Sequence, residues 1–356
     1  MNHIGIYSLV VCIVLLAAGC AAPSRKIVKT EAGQQETIKT QVETRETVRT
    51  EVEAEQQGPS INLELKFVEA DSTTYRVMLE NDKSVQWEGG ASKPPGFEGG
   101  HTGNKMEITF TQQIQSVDDQ GNATARITIK ALKYMVTIKN NVTMDFDSSR
   151  QEDRSSPLSK LIGQSYTIEI TPSGLVSKVS DTNDALAAVK GDSAANNVAV
   201  RLLSADAIKE QHTIPSLPAA GKSQTREGDN WSSLKRVSFD LMGAKSYEKV
   251  YTLKEITDVD NRRLAVAEME AVASAEDAKQ LHRQQAATAG PLSAMSDSTE
   301  EYTGRLELDV TEGKVQECHE KLLVEWFIVN PNPKADEPPA ALRMAARRLY
   351  SIERVD

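Results

Sequence analysis

The chain has little cysteine, little aromatic character and no excess of positive charge. Only 3 of its 356 residues are cysteine, and two of them, Cys12 and Cys20, fall close to the N-terminus. Cys318 stands alone in the body of the chain, so no disulfide staples it and stability has to come from a packed core. Aromatic residues make up 5% of the sequence against 39% hydrophobic residues overall, which predicts a core of Val, Ile, Leu and Ala. A formal net charge of −10 argues against nucleic acid as a partner, since phosphate binding asks for a basic face. The N-terminal apolar run from Ile4 to Ala18 is shorter than the roughly 20 residues a bilayer crossing needs.

The end of that run carries a processing signal. Leu16-Ala17-Ala18-Gly19-Cys20 places small residues before a cysteine at the end of a short apolar segment, the pattern at which bacterial lipoprotein precursors are cleaved and acylated. Residues 1–19 are therefore read as a lipoprotein signal peptide and Cys20 as the lipid attachment site, with a membrane as the first expected partner. Two features depart from the pattern: Met1-Asn2-His3 carries no Lys or Arg, and Ala17 stands where Leu is commoner. Ala21, in place of Asp, points to the outer membrane facing the periplasm. Residues 20–58 read as a flexible charged tether containing a near-repeat at Ile27 to Thr30, Thr37 to Thr40 and Thr47 to Thr50. Its ten-residue period fits neither the heptad nor the eleven-residue coiled-coil repeat, leaving a solvated spacer or a segment that orders on a partner.

From Ile61 onward the pattern turns to β. Ala123, Ala125, Ile127, Ile129 and Ala131 alternate with Thr124, Arg126, Thr128 and Lys130, the period of a strand with one buried face. Val117 to Asn122 supplies turn chemistry between that strand and Met106 to Ile114. A second hairpin is expected from Tyr166 to Val179, with Gly174 providing a positive φ in the Thr171-Pro172-Ser173-Gly174 turn. Ile256, Val259, Asp260, Asn261, Ala265, Ala267 and Met269 fall on Ile114, Val117, Asp118, Asp119, Ala123, Ala125 and Ile127 at a constant offset of 142. Leu306 to Cys318 repeats Ile168 to Val179 with one extra residue in the second turn, and the two matches point either to an internal duplication or to chance agreement between alternating strands. Duplication predicts equivalent turns at Gly121 and Arg262, and at Gly174 and Gly313. The alanines at 123, 125, 265 and 267 then either pack closely or leave room for an acyl chain.

Asp181 to Gln211 reads as one or two short helices interrupted near Gly191, and the Ala/Gln-rich stretch from Ala275 to Ala289 as a helix or long connection. Ala340 to Ile352 reads as a helix with Leu342, Ala345, Leu349 and Ile352 on one side and Arg343, Arg347 and Arg348 elsewhere, docking on the sheet or meeting an anionic surface. The expected fold is mainly β, a β-rich α+β chain with two related antiparallel sheet halves and short connecting helices. Its expected divisions are the signal at 1–19, the lipidated Cys20 and tether at 20–58, a first β-rich half at 59–200, a second at 201–330, and a Pro-rich linker with a basic C-terminal helix at 331–356.

Chemistry is harder to find. His101, His212, His282 and His319 are scattered, and Cys318 and His319 are neighbours on an expected strand, so they face opposite sides and cannot share a metal. Cys318 aligns with Val179 and belongs to the apolar face. Gly99 to Lys105 lacks the Lys-Ser/Thr ending of a phosphate cradle and reads as a hairpin loop. No nucleophile elbow occurs, and no acid, base or nucleophile set can be named, so neither an enzyme nor a cofactor is expected.

The lipobox, the charged spacer, Val117 to Gly121, Pro215-Ser216-Leu217-Pro218 leading to Gly228-Asp229-Asn230-Trp231, and Tyr302-Thr303-Gly304-Arg305-Leu306-Glu307-Leu308 together resemble a family of uncharacterised bacterial lipoproteins, common in planctomycete-like and Bacteroidetes-like genomes. The resemblance covers roughly residues 61 to 330 and implies an architecture and an address, with no substrate. Two classes of function remain. One is a non-catalytic binding or carrier module offering an apolar concave face to a hydrophobic ligand or envelope protein. The other is a structural or assembly protein presenting strand edges to a partner.

Overall fold

The computed structural model describes residues 59–88, 99–274, 296–329 and 341–355. Cys20, the tether, the Ala/Gln-rich stretch from Ala275 to Ala289 and the prolines between 331 and 339 lie outside the described residues. The strands are β1 (Ile61–Asn62), β2 (Ser72–Glu88), β3 (Gly100–Val117), β4 (Ala123–Ile138), β5 (Asn141–Asp147), β6 (Ser165–Ile170) and β7 (Val176–Ser180). Three helices come next, α1 (Asn183–Ala188), α2 (Ser193–Leu203) and α3 (Ala205–His212), then β8 (Gln224–Thr225), β9 (Asn230–Ser238), β10 (Ala244–Val259), β11 (Arg262–Ala273), β12 (Ser296–Asp309), β13 (Lys314–Val329) and β14 (Ala341–Arg354). The fold is mainly β, as the alternation predicts. In β4 the inward residues Ala123, Ala125, Ile127 and Ile129 are at most 1% exposed, and Ala265, Ala267 and Met269 of β11 are 1% exposed. These alanines belong to closed core.

One antiparallel sheet runs β7-β6-β4-β3-β2-β14-β13-β12-β11-β10-β9, with β5 added beside β4. Both sequence halves share it, and the expected division at 200/201 falls inside α2. The last strand joins them: β14 pairs with β13 on one side and β2 on the other. This corrects the expected C-terminal helix. Ala, Leu, Met and Arg favour a helix intrinsically, but two waiting strand edges decide the outcome. Leu342, Ala346 and Ile352 are buried on the strand's inner face.

Two further expectations change. Gly100 to Lys105 is strand, not loop, and pairs with Glu80 to Val85; Gly103 sits there because a Cβ would run into Asp82. The turn between β10 and β11 lies at Asp260 and Asn261, both with positive φ, so Arg262 is already strand. Asparagine and aspartate tolerate this conformation better than most residues.

The helices break at Gly191 as expected and are capped at α2 and α3, where Asp192 accepts from the Ala195 amide and Ser204 from the Ala207 amide. Their buried residues, including Val198, Leu202, Leu203 and Ile208, join the main core. A second cluster in the later strands contradicts the aromatic-poor expectation. Phe239, Tyr247, Tyr251, Tyr302 and Trp326 concentrate there, so a small aromatic complement is gathered in one place.

Two extended arms cross between the halves. The Ile214 amide donates to the Gly174 carbonyl at 2.8 Å, and the Lys66 amide donates to the Gly313 carbonyl at 3.0 Å. Both glycines have positive φ, 76° and 66°, and both lie against an arriving arm. A Cβ on Gly174 would sit 2.8 Å from Ile214 Cβ, and one on Gly313 would overlap Lys66 Cβ and its backbone nitrogen. Gly163 has φ of 86° with nothing within 4 Å of a built Cβ, so it isolates the conformational cost. In urea unfolding, Gly163→Ala should lose about 1–2 kcal/mol, the left-handed penalty alone, and Gly313→Ala clearly more. Equal losses would show that the Lys66 arm yields freely.

Candidate functional site

The inner face carries two charged residues whose strand parity points inward although their charge would suggest an outward face. Lys249 lies between Tyr247 and Tyr251 on β10, and Glu320 between Cys318 and Leu322 on β13; they are 2% and 8% exposed. Lys249 Nζ donates to Glu320 Oε1 at 2.9 Å, the Tyr251 hydroxyl lies 2.7 Å from the same oxygen, and the Tyr302 hydroxyl donates to Oε2 at 2.7 Å. Burial, and next the Glu320 charge, push both phenols well above the ordinary tyrosine range, so they remain donors. β10 and β13 are not neighbours in the sheet; β11 and β12 lie between them. Glu320 reaches across because its partner on β12 is Gly304, where a Cβ would stand 3.2 Å from Glu320 Cγ and 2.8 Å from the His319 carbonyl. The Tyr302-Thr303-Gly304 stretch thus supplies one donor and the gap beside it.

Around this cluster threads the segment from Thr213 to Leu217. The Pro215 carbonyl lies 3.1 Å from the Tyr251 hydroxyl, whose single proton goes to the charged carboxylate. Trp231 Nε1 donates to the Ser216 carbonyl at 3.0 Å, with its ring stacked on Tyr251 at 5.6 Å. The Tyr350 hydroxyl donates to the Thr213 carbonyl at 3.1 Å. Cys318, fully buried, meets Ser216 Oγ at 3.3 Å, and burial pushes its thiol up to about 12. It is a packed residue with no thiolate to offer.

The histidines stay apart. His101 on β3 meets Asp82 at 3.0 Å, His319 faces out beside Glu317 at 3.3 Å, and His282 is outside the described residues. Among the described residues no group of three or more His, Cys, Asp or Glu could hold a metal. His212 ends α3 in full burial, its ring edge-on to Phe110 at 4.4 Å and its Nε2 2.7 Å from the Tyr166 hydroxyl. Burial drives its pKa from 6.5 down to about 3, so the ring stays neutral and shares one hydrogen bond with the Tyr166 hydroxyl at Nε2.

Between the helices and the sheet lies a crevice that composition and motifs do not announce. Its central part, about 580 Å³, has an apolar floor including Leu79, Met106, Tyr134 and Ala346, walled by Leu202 and Ala207 of α2 and α3. Toward β5 it shares Tyr134, Val136 and Arg201 with a pouch of about 210 Å³ that adds Met144 and Val198. At the other end it shares Leu79, Asn81, Glu210 and Arg348 with a cavity of about 110 Å³ that reaches Glu320 and Tyr302. The central volume lies within the roughly 300–1,000 Å³ of small-molecule sites. Gln211, 2% exposed, donates Nε2 to the Leu202 carbonyl, and its Oε1, at the crevice wall, has no partner among the described residues.

These buried groups generate two testable outcomes. Lys249→Met leaves Glu320 as an uncompensated interior charge and should cost about 3–5 kcal/mol; adding Glu320→Gln should recover part of it in the same urea measurement. A double variant no more stable than Lys249→Met would contradict the pairing. For His212 the unfolded ring takes a proton below about 6.5 that the folded ring refuses until about 3. Stability from this group is therefore complete above that window and falls as pH drops through it, by up to about 1.4 kcal/mol per pH unit. His212→Gln should show a shallower acid slope than wild type between pH 6 and 4; identical slopes would refute the assignment.

Comparison with known proteins places the chain within a family and no further. No curated protein matches it. A solved structure titled "Lipid-protein interactions in lipovitellin" aligns with 82% of this chain at 8% identity and a TM-score of 0.35. The chain spans only 26% of that structure's length, and a likeness of this size carries no argument. The model of DUF6263, a family of unknown function, matches residues 120–313, which takes in the Pro215 segment, Lys249 and Tyr302 but stops short of Glu320. That match covers more than half of the sequence, and the chain belongs to this family of unknown function.

Proposed function

We propose that the protein is an envelope lipoprotein, anchored through acylated Cys20, whose globular part is a non-catalytic binding or carrier module. The observation that carries this reading is the crevice between α2–α3 and the sheet. It combines an apolar floor, charged and polar residues around it and a volume suited to one small molecule, and its lining offers no nucleophile paired with a base. Tight packing at Ala125 and Ala267 argues against an acyl chain in the main core and directs attention to the crevice instead. The crossed arms at Gly174 and Gly313 favour an origin by internal duplication, since each half receives the leading segment of the other. Ala21 after the lipidated cysteine supports an outer-membrane location.

The structural or assembly reading has one observation in its favour. β9 pairs only with β10 among the described residues and carries Leu234 at 63% exposure, an edge that a partner strand would fit.

A single experiment separates the two. Cys20→Ser should move the protein from the membrane to the soluble fraction, where it can be purified without detergent. Solvent extraction and mass spectrometry should then recover a defined small amphiphile from that protein, and much less after the further change Ala207→Trp, which fills the crevice at a half-exposed position. Protein that folds normally yet carries nothing would favour the assembly reading, and membrane retention of Cys20→Ser would refute the anchor.

A further inference from the structure

Building on the crevice as a ligand site, we propose that its occupant is a single-chain amphiphile with an anionic head. The head lies between Arg201 of α2 and Arg348 of β14, and the chain in the pouch beside β5. Charge is the first argument. The chain is acidic overall, at −10, yet five cations line the central crevice and its polar end: Lys83, Arg201, Lys235, Arg347 and Arg348. Two are already neutralised, Lys83 by Asp240 and Arg347 by Glu80 and Asp82. Arg201 and Lys235 have no ion pair among the described residues. Arg348 has none either: it donates to the Ser238 carbonyl at 2.6 Å and lies over the Phe239 ring at 5.7 Å. Against these three stands Glu210, the one lining carboxylate without an ion pair among the described residues. The local balance therefore favours an anion, and guanidinium forks suit the paired oxygens of a carboxylate or phosphate.

Polarity along the crevice is the second argument. The pouch end is lined by Tyr134, Val136, Met144, Ala194 and Val198 with few polar atoms, whereas the far end reaches Glu320, Tyr302 and Glu210. Arg201 lines both the pouch and the central crevice, at the junction where a head meets its chain, with its stem along apolar surface and its charge at the rim. Volume is the third argument: a two-chain phospholipid outgrows the roughly 1,000 Å³ limit of such sites, and a single chain does not.

The test uses the full chain carrying Cys20→Ser, stripped of endogenous ligand on a hydrophobic resin. Calorimetric titration compares laurate, dodecyl phosphate, dodecyltrimethylammonium and dodecyl maltoside, each below its micelle concentration. Both anions should bind at least tenfold tighter than the ammonium of equal chain length. Arg201→Glu, at an exposed position that leaves the core intact, should abolish that preference, and Arg201→Lys should restore much of it. Ala194→Trp, at the exposed wall of the pouch, should weaken dodecyl phosphate more than its octyl homologue. Equal affinities for all four probes, or unchanged preference in Arg201→Glu, would overturn the head assignment while leaving a binding module. No binding by any probe would overturn both.

Discussion

A carboxylate buried beside an ammonium has to be surrounded by donors, and much of the later half of this sheet is arranged to meet that demand. Glu320 receives Lys249, Tyr251 and Tyr302, which come from β10 and β12, while Gly304 leaves the space through which it reaches them. Removing water from an ion pair costs more than the pair returns unless its remaining lone pairs are filled. The cluster is therefore better understood as a device for specificity than as a source of stability. It ties β10, β12 and β13 together on the inner face, and it lies against the Thr213–Leu217 segment, which Trp231 and Tyr350 grip by its carbonyls.

That segment and the last strand make one body from the strands before and after the helices. β14 fills the gap between β2 and β13, and the arms at Lys66 and Ile214 lock onto turns of the opposite half. Helices α2 and α3 close much of the inner face but leave a seam against β2, β4 and β14, where the crevice lies. The crevice leaves this part of the inner face open, so it is the natural place for local opening. Binding in this fold would exploit a region that packing leaves incomplete.

Alternation in the sequence locates β4 and β11, because those strands have one strictly apolar face, and turn residues locate the hairpin at Gly174. It fails for β14 because Arg348 points inward and breaks the period, while the surrounding Ala, Leu and Arg favour a helix. Lys249 and Glu320 escape it for a related reason, since a charge in an alternating strand reads as outward. The parity is nevertheless visible: Glu320 shares its face with Cys318, and Lys249 with Tyr247 and Tyr251. Pro215 to Pro218 and Tyr302 to Leu308 stand out as motifs, but their role emerges only when the fold brings Ser216 to Cys318 and Tyr302 to Glu320. The crevice has no local signature at all. Its lining joins Leu79, Arg201 and Arg348, residues brought together only by the sheet order.

Native-state hydrogen exchange measures this architecture directly. Amides in the centres of β4 and β11 should exchange with one common free energy, that of global unfolding, because the Glu320 cluster and β14 couple them, while amides of α2 should open at distinctly lower cost. Separate free energies for β4 and β11, or an α2 protected as strongly as the sheet, would contradict a single coupled body with the crevice as its open seam.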